Sequence, residues 1–377
     1  MTSLRMHEEF MAETLRLAVL GRGMVSPNPM VGAVLVRRGV VVGRGWHKRF
    51  GGSHAEVNAI EAAGRRARGA TLYVNLEPCA HFGKTPPCTE AIIAAGIRRV
   101  VFGARDPNPR AAGGAAVLKK AGIEVIGGVL EEKCRRLNAP FFKYIRARLP
   151  FVTAKWAMTL DGKIAAPCGD ARWVTGDAAR MEAQRLRAEH DAVCVGIGTV
   201  LADRPRLTCR FPGADRQPKR VILDSFARTP PDSPLFSSGG GPVIIAATSA
   251  ARRSRVRALE KAGAVVLRIR RDGSRVDIES LLRKLPELGV LSVMIEGGAE
   301  VLGSAFDAGL VDRAVVFVGS RVLGGRKALS AVGGRGERKM AFAQSAKIVR
   351  VETIGEDLMV DAEVGDWDWL KPARAQR

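Results

Sequence analysis

His54–Ile60 reads HAEVNAI and Leu76–Cys88 reads LEPCAHFGKTPPC. The chain has only 5 histidines and 6 cysteines, yet His54, Glu56, Cys79 and Cys88 fall in this short span, and a proline precedes each of the two cysteines. A regular helix points positions two apart to different sides, so His54 and Glu56 converge only where a helix is entered from a loop. FGGSH breaks the chain at that point. Cys88 follows Pro86 and Pro87 and opens a helix, whose N-terminal dipole favours a thiolate. One imidazole and two thiolates suit a catalytic zinc, which takes three protein ligands and leaves a position for water. Each residue also has a plainer role: His54 as a helix cap, Glu56 as surface charge, the cysteines as small core residues. His81, two after Cys79, is a competing ligand, although C-x-H is cramped for one tetrahedral ion.

With His54, Cys79 and Cys88 on the metal, Glu56 is the non-ligand beside it. A carboxylate next to metal-activated water is what hydrolytic deamination of an aminopyrimidine needs, because it carries the proton from water to ring nitrogen and on to departing ammonia. The general zinc-deaminase signature has two residues between its cysteines, whereas eight separate Cys79 from Cys88.

At 377 residues the chain is too long for one compact core and predicts two domains, or three. Hydrophobic residues make up 46% and aromatics 5%, with no apolar run of membrane-spanning length. The opening MTSLRMHEEFMAETLRLAVLG carries acids at its start and reads as an amphipathic helix, not a signal peptide. Irregular cysteine spacing points to a reducing, cytoplasmic location. The formal net charge of +22 raises nucleic acid as a partner. Its distribution opposes that: basic residues are mixed with acids, clusters such as RRAR and RIRR are short, and no aromatics interleave with them. No nucleic-acid or membrane partner is expected, and self-association stays open. A few arginines remain available for a phosphorylated small molecule.

The α/β fold class follows from alternating segments. In residues 1–148 these are an opening helix, a strand pair turning at Arg38-Gly39, a helix from His54 to Ala63, the strand TLYVNL, a short helix after Cys88, RRVVFGA, a helix, GIEVIGG and a basic helix ending near Arg148. Leu149-Pro150 marks the boundary, and the second domain runs over 149–370. There FVTAKWAM, a helix over Asp177 to Glu189, AVCVGIG, RVILD, PVIIAAT, AVVLRI, a helix near Ile278, LSVMIEGG, another helix and RAVVFVG alternate, with SSGGGP as a loop. No G-x-G-x-x-G opens a helix there; GIGTV and EGGAEVLG are the nearest glycine-rich turns.

NPMVGAVLV, HAEVNAI, TLYVNLEPCAHFGKTPPC and ARDPNP resemble the deaminase half of the bifunctional deaminase/reductase family of riboflavin biosynthesis, in which the longer cysteine spacing is the norm. AKWAMTLDGKIA, RWVTG, GIGTVLADRPRLTCR, VILDS and MIEGGAEVLG resemble its reductase half, so the resemblance covers essentially the whole chain. It implies a cytidine-deaminase-like α/β/α domain holding Zn2+, followed by a dihydrofolate-reductase-like domain that uses NADPH. Asn28, His47, Lys84, Asp106 and Asn108 are then implied contacts for a phosphorylated ribosylaminopyrimidine; alone, they read as turn or solvated residues. Ala157, Trp173, Thr199, Asp203, Ser225 and the run from Gly298 are implied to face the dinucleotide. Arg187, Leu207, Arg210 and Glu296 are implied to face substrate, arginine being suited to gripping phosphate through two bonds. Lys155 and Asp161 match polar groups near the reacting sugar carbon. Ala171 stands where relatives often carry a serine, which removes one hydrogen bond.

The implied activity has two steps: hydrolytic deamination of the diaminopyrimidine phosphate, then reduction of the ribosyl chain. Two rivals stand beside it. A nucleic-acid base deaminase with an accessory binding domain predicts salt-sensitive RNA or DNA binding, and a degenerate second half predicts no NADPH binding.

Overall fold

A computed structural model describes residues 3–83 and 85–371. The chain forms two compact units, one built from the residues up to Arg148 with the stretch from Trp369, the other Leu149–Asp368.

The first unit is a five-stranded sheet in the order Val40–Trp46, Gly32–Arg37, Thr71–Leu76, Arg99–Ala104, Glu124–Gly127. The first two pairings are antiparallel and the last two parallel. Because Thr71–Leu76 and Arg99–Ala104 run parallel, the segments leaving their carboxyl ends, with Cys79 and with Asp106, emerge side by side. The helix Ala55–Ala63 turns Ala55, Ala59 and Ala63, all buried, inward. Strand Val40–Trp46 meets it with glycine: a Cβ on Gly45 would stand 2.4 Å from Ala55 O and 2.4 Å from Ala59 N. Small residues on both sides therefore let helix and sheet approach closely, and this seating fixes where His54 and Glu56 emerge.

The basic helix expected to end near Arg148 is two helices, Glu131–Leu137 and Ala139–Ala147, meeting at Asn138. Pro140 in the first turn of the second helix has no N–H with which to continue the first. The break has a use. Met30 N–H donates to Asn138 Oδ1 at 2.7 Å, and Asn138 Nδ2 donates to Met30 O at 2.9 Å. Asn75 Nδ2 donates to the same carbonyl at 3.0 Å and its Oδ1 accepts from Gly32 N–H at 2.8 Å. Two buried asparagines thus clamp the segment that follows Asn28.

The second unit is a nine-stranded sheet in the order Val265–Arg268, Val243–Ala247, Lys219–Leu223, Ala192–Gly196, Ser292–Gly297, Phe151–Thr159, Arg313–Gly319, Asp357–Val364, Ala346–Ile354. The first six pairings are parallel and the last two antiparallel. The final hairpin has no counterpart in the sequence reading, because most of Ala346–Ile354 is exposed and its apolar residues do not alternate. The chain rejoins the first unit at Trp369, where Arg135 Nη1 donates to Leu370 O at 2.9 Å and Arg146 Nη1 to Trp369 O at 3.0 Å. Among the described residues no helix is long and apolar enough to cross a membrane.

Two glycines separate close packing from backbone cost. A Cβ on Gly198, in helix Ile197–Asp203, meets nothing within 4 Å. Gly198→Ala is expected to stabilise by about 0.5–1 kcal/mol, and Gly45→Ala to destabilise by about 1–3 kcal/mol. Denaturant unfolding checks both; equal effects would remove the close-approach argument.

Candidate active sites

His54 caps the helix Ala55–Ala63 in an extended conformation, φ −73° and ψ 163°. Cys79 lies past the end of strand Thr71–Leu76, and Cys88 is the first residue of helix Cys88–Ala94. The ligand atoms of these three residues lie within 4.8 Å of one another. His54 Nδ1 is 3.1 Å from Cys88 Sγ and 3.6 Å from Cys79 Sγ, and Cys88 N–H donates to Cys79 Sγ at 3.3 Å. The hydrogen bond from the Cys88 thiol, with the imidazole beside it, holds the Cys79 thiol well below its ordinary range. The Cys88 thiol is driven up, by that same bond and by burial. Bonding to Cys79 raises His54. One imidazole and two sulfurs fit a three-ligand zinc site. His81 is outside the converging set.

A cavity of about 210 Å³ opens beside the three residues, and Glu56 lines it. The Glu56 side chain is buried, and that burial raises its carboxyl pKa, against the opposing pull of His54. Asn28, His47, Asp106 and Asn108 line the same cavity. Asn28 Nδ2 donates to His47 Nε2 at 3.2 Å, and His47 Nδ1–H donates to Ser53 O at 3.0 Å. This pair of bonds sets the imidazole tautomer, and burial lowers the His47 pKa. Asp106 Oδ1 accepts from Asn108 N–H at 2.8 Å. Burial, with the carboxylate of Glu77 nearby, pushes Asp106 up to about 7. Lys84 lies outside the described residues. Glu77 and Phe141 also line the cavity without having been singled out. LEPC contains Glu77 beside a ligand, whereas Phe141 arrives from helix Ala139–Ala147 and leaves no local signal.

In the second unit the implied dinucleotide contacts divide. Thr199, Ser225 and Gly298 line one cavity of about 380 Å³. Trp173 lines another of about 400 Å³, with the Arg180 guanidinium 4.3 Å from its ring centroid. Ala157 sits within strand Phe151–Thr159, and Asp203 is exposed at the end of helix Ile197–Asp203. The first cavity has a glycine-built wall. A Cβ on Gly196 would stand 2.8 Å from Val301 Cγ2, and one on Gly297 3.1 Å from Thr199 Oγ1. Gly298, at φ 85°, leads into helix Ala299–Asp307. Such backbone, opened to a ligand ahead of a helix N-terminus, fits a dinucleotide phosphate.

Lys155 and Glu296 stand on adjacent parallel strands, next to the paired Ala154 and Ile295. Arg187 Nη2 lies 2.5 Å from Glu296 Oε1, and Arg187 Nη1 donates to Thr208 O at 2.8 Å. Burial lowers the Lys155 pKa; the Glu296 carboxylate opposes the shift and the Arg187 guanidinium adds to it. Asp161 is exposed and accepts from Thr159 Oγ1 at 2.6 Å, Leu323 N–H at 3.0 Å and Gly324 N–H at 2.7 Å, which hold it at about 2. The Leu207 side chain is packed in the core at φ 53°, leaving only its backbone for a ligand. Arg210 is exposed, and among the described residues its guanidinium reaches only Thr208 Oγ1, at 3.5 Å.

Residues 4–104 match the cytidine and deoxycytidylate deaminase zinc-binding region, and residues 150–360 match the RibD C-terminal domain. The chain is 41% identical over 354 residues to the riboflavin biosynthesis protein RibD of Actinobacillus pleuropneumoniae, covering 94% of each chain. It is 42% identical to that of Aquifex aeolicus, covering 94% of this chain and 97% of the relative. An Acinetobacter baumannii RibD structure superposes with a TM-score of 0.86 at 35% identity, over 96% of this chain and all of that one. The Thermotoga maritima structure named diaminohydroxyphosphoribosylaminopyrimidine deaminase/5-amino-6-(5-phosphoribosylamino)uracil reductase gives 0.84 at 38% identity, covering 96% and 99%. Joined to the converging His54, Cys79 and Cys88 and to the glycine-walled cavity of the second unit, these likenesses place the chain in the RibD family of riboflavin biosynthesis, enzymes with a zinc-binding deaminase region and an NADPH-using reductase domain.

Proposed function

We propose that the first unit hydrolytically deaminates 2,5-diamino-6-ribosylamino-4(3H)-pyrimidinone 5′-phosphate. The second then reduces the ribosyl chain of the product with NADPH to give 5-amino-6-ribitylamino-uracil 5′-phosphate. The observation that carries this reading is a buried carboxyl, Glu56, in the same cavity as a His/Cys/Cys cluster. The activities in the name of the Thermotoga relative supply the substrate.

His54, Cys79 and Cys88 would hold zinc, which would supply a Lewis acid toward water. Glu56 takes a proton from the attacking water, gives it to the ring nitrogen, and later passes a proton to the leaving amine. A C–O bond forms, the C–N bond breaks and ammonia leaves. Asn28, paired to His47, keeps its carbonyl oxygen for the heterocycle, and the Asp106–Asn108 turn closes the other side. Thr199, Ser225, Gly298, Trp173, Ala157 and Asp203 are assigned to NADPH, whose chemistry is hydride donation. Arg210, Arg187 and the Leu207 backbone are assigned to substrate, with Arg210 free to take the phosphate. Lys155 gives a proton to the opened sugar, and Glu296 supports its charged form. Asp161 acts by anchoring the Leu323–Gly324 segment. The Cys79 and Cys88 thiols require a reducing compartment, which we take to be the cytoplasm. No nucleic acid enters this reading; many arginines pair with acids along their own helices, as Arg283 does with Glu279.

Glu56→Gln is expected to keep its zinc and lose ammonia release by about 10²–10⁴-fold, while reduction of the already deaminated substrate continues. Metal analysis alongside both assays checks this, and loss of zinc would make Glu56 a ligand. In the reductase, a proton-donating lysine works below its pKa, so the rate falls as pH rises through that value. Removing the Glu296 charge lowers the Lys155 value further. Glu296→Gln is therefore expected to move the alkaline limb of kcat to lower pH at saturating NADPH and substrate. An unmoved limb would take Lys155 off the proton's path.

A further inference from the structure

NADPH differs from NADH by one phosphate on the adenine ribose, so preference for it calls for cations where that ribose lies. The cavity holding Thr199, Ser225 and Gly298 supplies two. Strand Lys219–Leu223 ends at its rim, and the chain beyond brings Ser225 and Arg228 to the lining. The two-stranded ribbon Arg271–Asp272 and Arg275–Val276 also reaches the cavity. Val276 N–H donates to Ser225 Oγ at 3.0 Å, which docks the ribbon and puts Arg275 on the cavity wall. Because Ser225 Oγ accepts in that bond, its own proton stays available to an anion.

The local charges favour a phosphate. Asp224, the acid nearest in sequence, does not line the cavity: it is fully buried, with Oδ2 accepting from Thr229 N–H at 2.7 Å and from Thr229 Oγ1 at 2.8 Å. Arg228 is exposed and has no ion pair among the described residues. Arg275 Nη1 lies 2.6 Å from Glu300 Oε2, in a pair whose side chains are 58% and 64% exposed. An exposed pair of that kind is weak, and a phosphate dianion offers the guanidinium more charge and two-point geometry.

We infer that Arg228 and Arg275, with the Ser225 hydroxyl, form a phosphomonoester subsite that reads the 2′-phosphate and sets the preference for NADPH over NADH. The inference rests on this cavity being the dinucleotide site. It assigns discrimination to two arginines on separate elements, neither belonging to a glycine-rich turn.

The test is equilibrium binding to the full chain without pyrimidine substrate, using NADPH and NADH fluorescence and calorimetry with 2′,5′-ADP and 5′-ADP. Arg228→Ala and Arg275→Ala are each expected to weaken NADPH and 2′,5′-ADP by about tenfold or more. NADH and 5′-ADP should change by less than about twofold, since neither carries the lost contact. The double variant should bind NADPH and NADH alike, and Arg228→Lys should recover part of the difference. Equal weakening of phosphorylated and unphosphorylated ligands, or no change in either, would overturn the inference. Thr199→Trp and Ser304→Trp, which obstruct the cavity from two walls, should abolish binding of all four ligands. Undiminished binding in both would instead overturn the cavity's assignment to the dinucleotide, and the inference with it.

Discussion

A thiolate buried in protein is unfavourable unless a cation or several donors stand beside it, and this requirement organises the first unit. Cys79 meets it with the Cys88 backbone N–H, the Cys88 thiol and the His54 imidazole, all brought in from chain segments that begin helices. Their meeting depends on the seating of helix Ala55–Ala63 against Gly43 and Gly45, where side chains would push the helix outward. Moving that helix would carry His54 and Glu56 away from Cys79 together. The same seating buries Glu56, and burial is what keeps its carboxyl ready to hold a proton.

The two units solve a common problem in different ways. Each puts its chemistry where parallel strands end, so residues from separate strands arrive side by side without a long loop. In the first unit the strand ends deliver metal ligands and polar contacts to one small cavity. In the second they deliver glycine-lined backbone for an anion, and Glu296, on the strand that leads to Gly298, joins Lys155 of the adjacent strand and Arg187 in a charged cluster. There the charges act on one another: Arg187 holds Glu296 in place, and Glu296 opposes the loss of charge that burial imposes on Lys155.

How much was legible follows from how local each signal is. His54, Glu56, Cys79 and Cys88 can be read from sequence because their chemistry is rare and their spacing fits helix starts. Most strands are equally legible, being short apolar runs between turns, and the Arg38-Gly39 turn appears as positive φ at both residues. Asn28, His47, Asp106 and Asn108 needed the family resemblance, since in isolation they are ordinary turn residues. Phe141 and Arg275 carried no signal, because tertiary packing brings them to their cavities from distant segments, and Arg228, three residues after Ser225, reads in isolation as one more solvated arginine. Asn138 escaped for the same reason: its clamp on Met30 joins positions far apart in sequence. The exposed terminal hairpin lacked the alternation that marks a strand with one buried face.

The central claim is that one chain carries out hydrolysis and reduction in a fixed order at two separate sites. The direct measurement is metal content of the purified protein, with ammonia and NADPH followed in the same reaction on the diaminopyrimidine phosphate. About one zinc per chain, ammonia released without NADPH, and NADPH oxidised only after that release are the results the account predicts. Absence of zinc, or NADPH oxidation that precedes ammonia release, would contradict it.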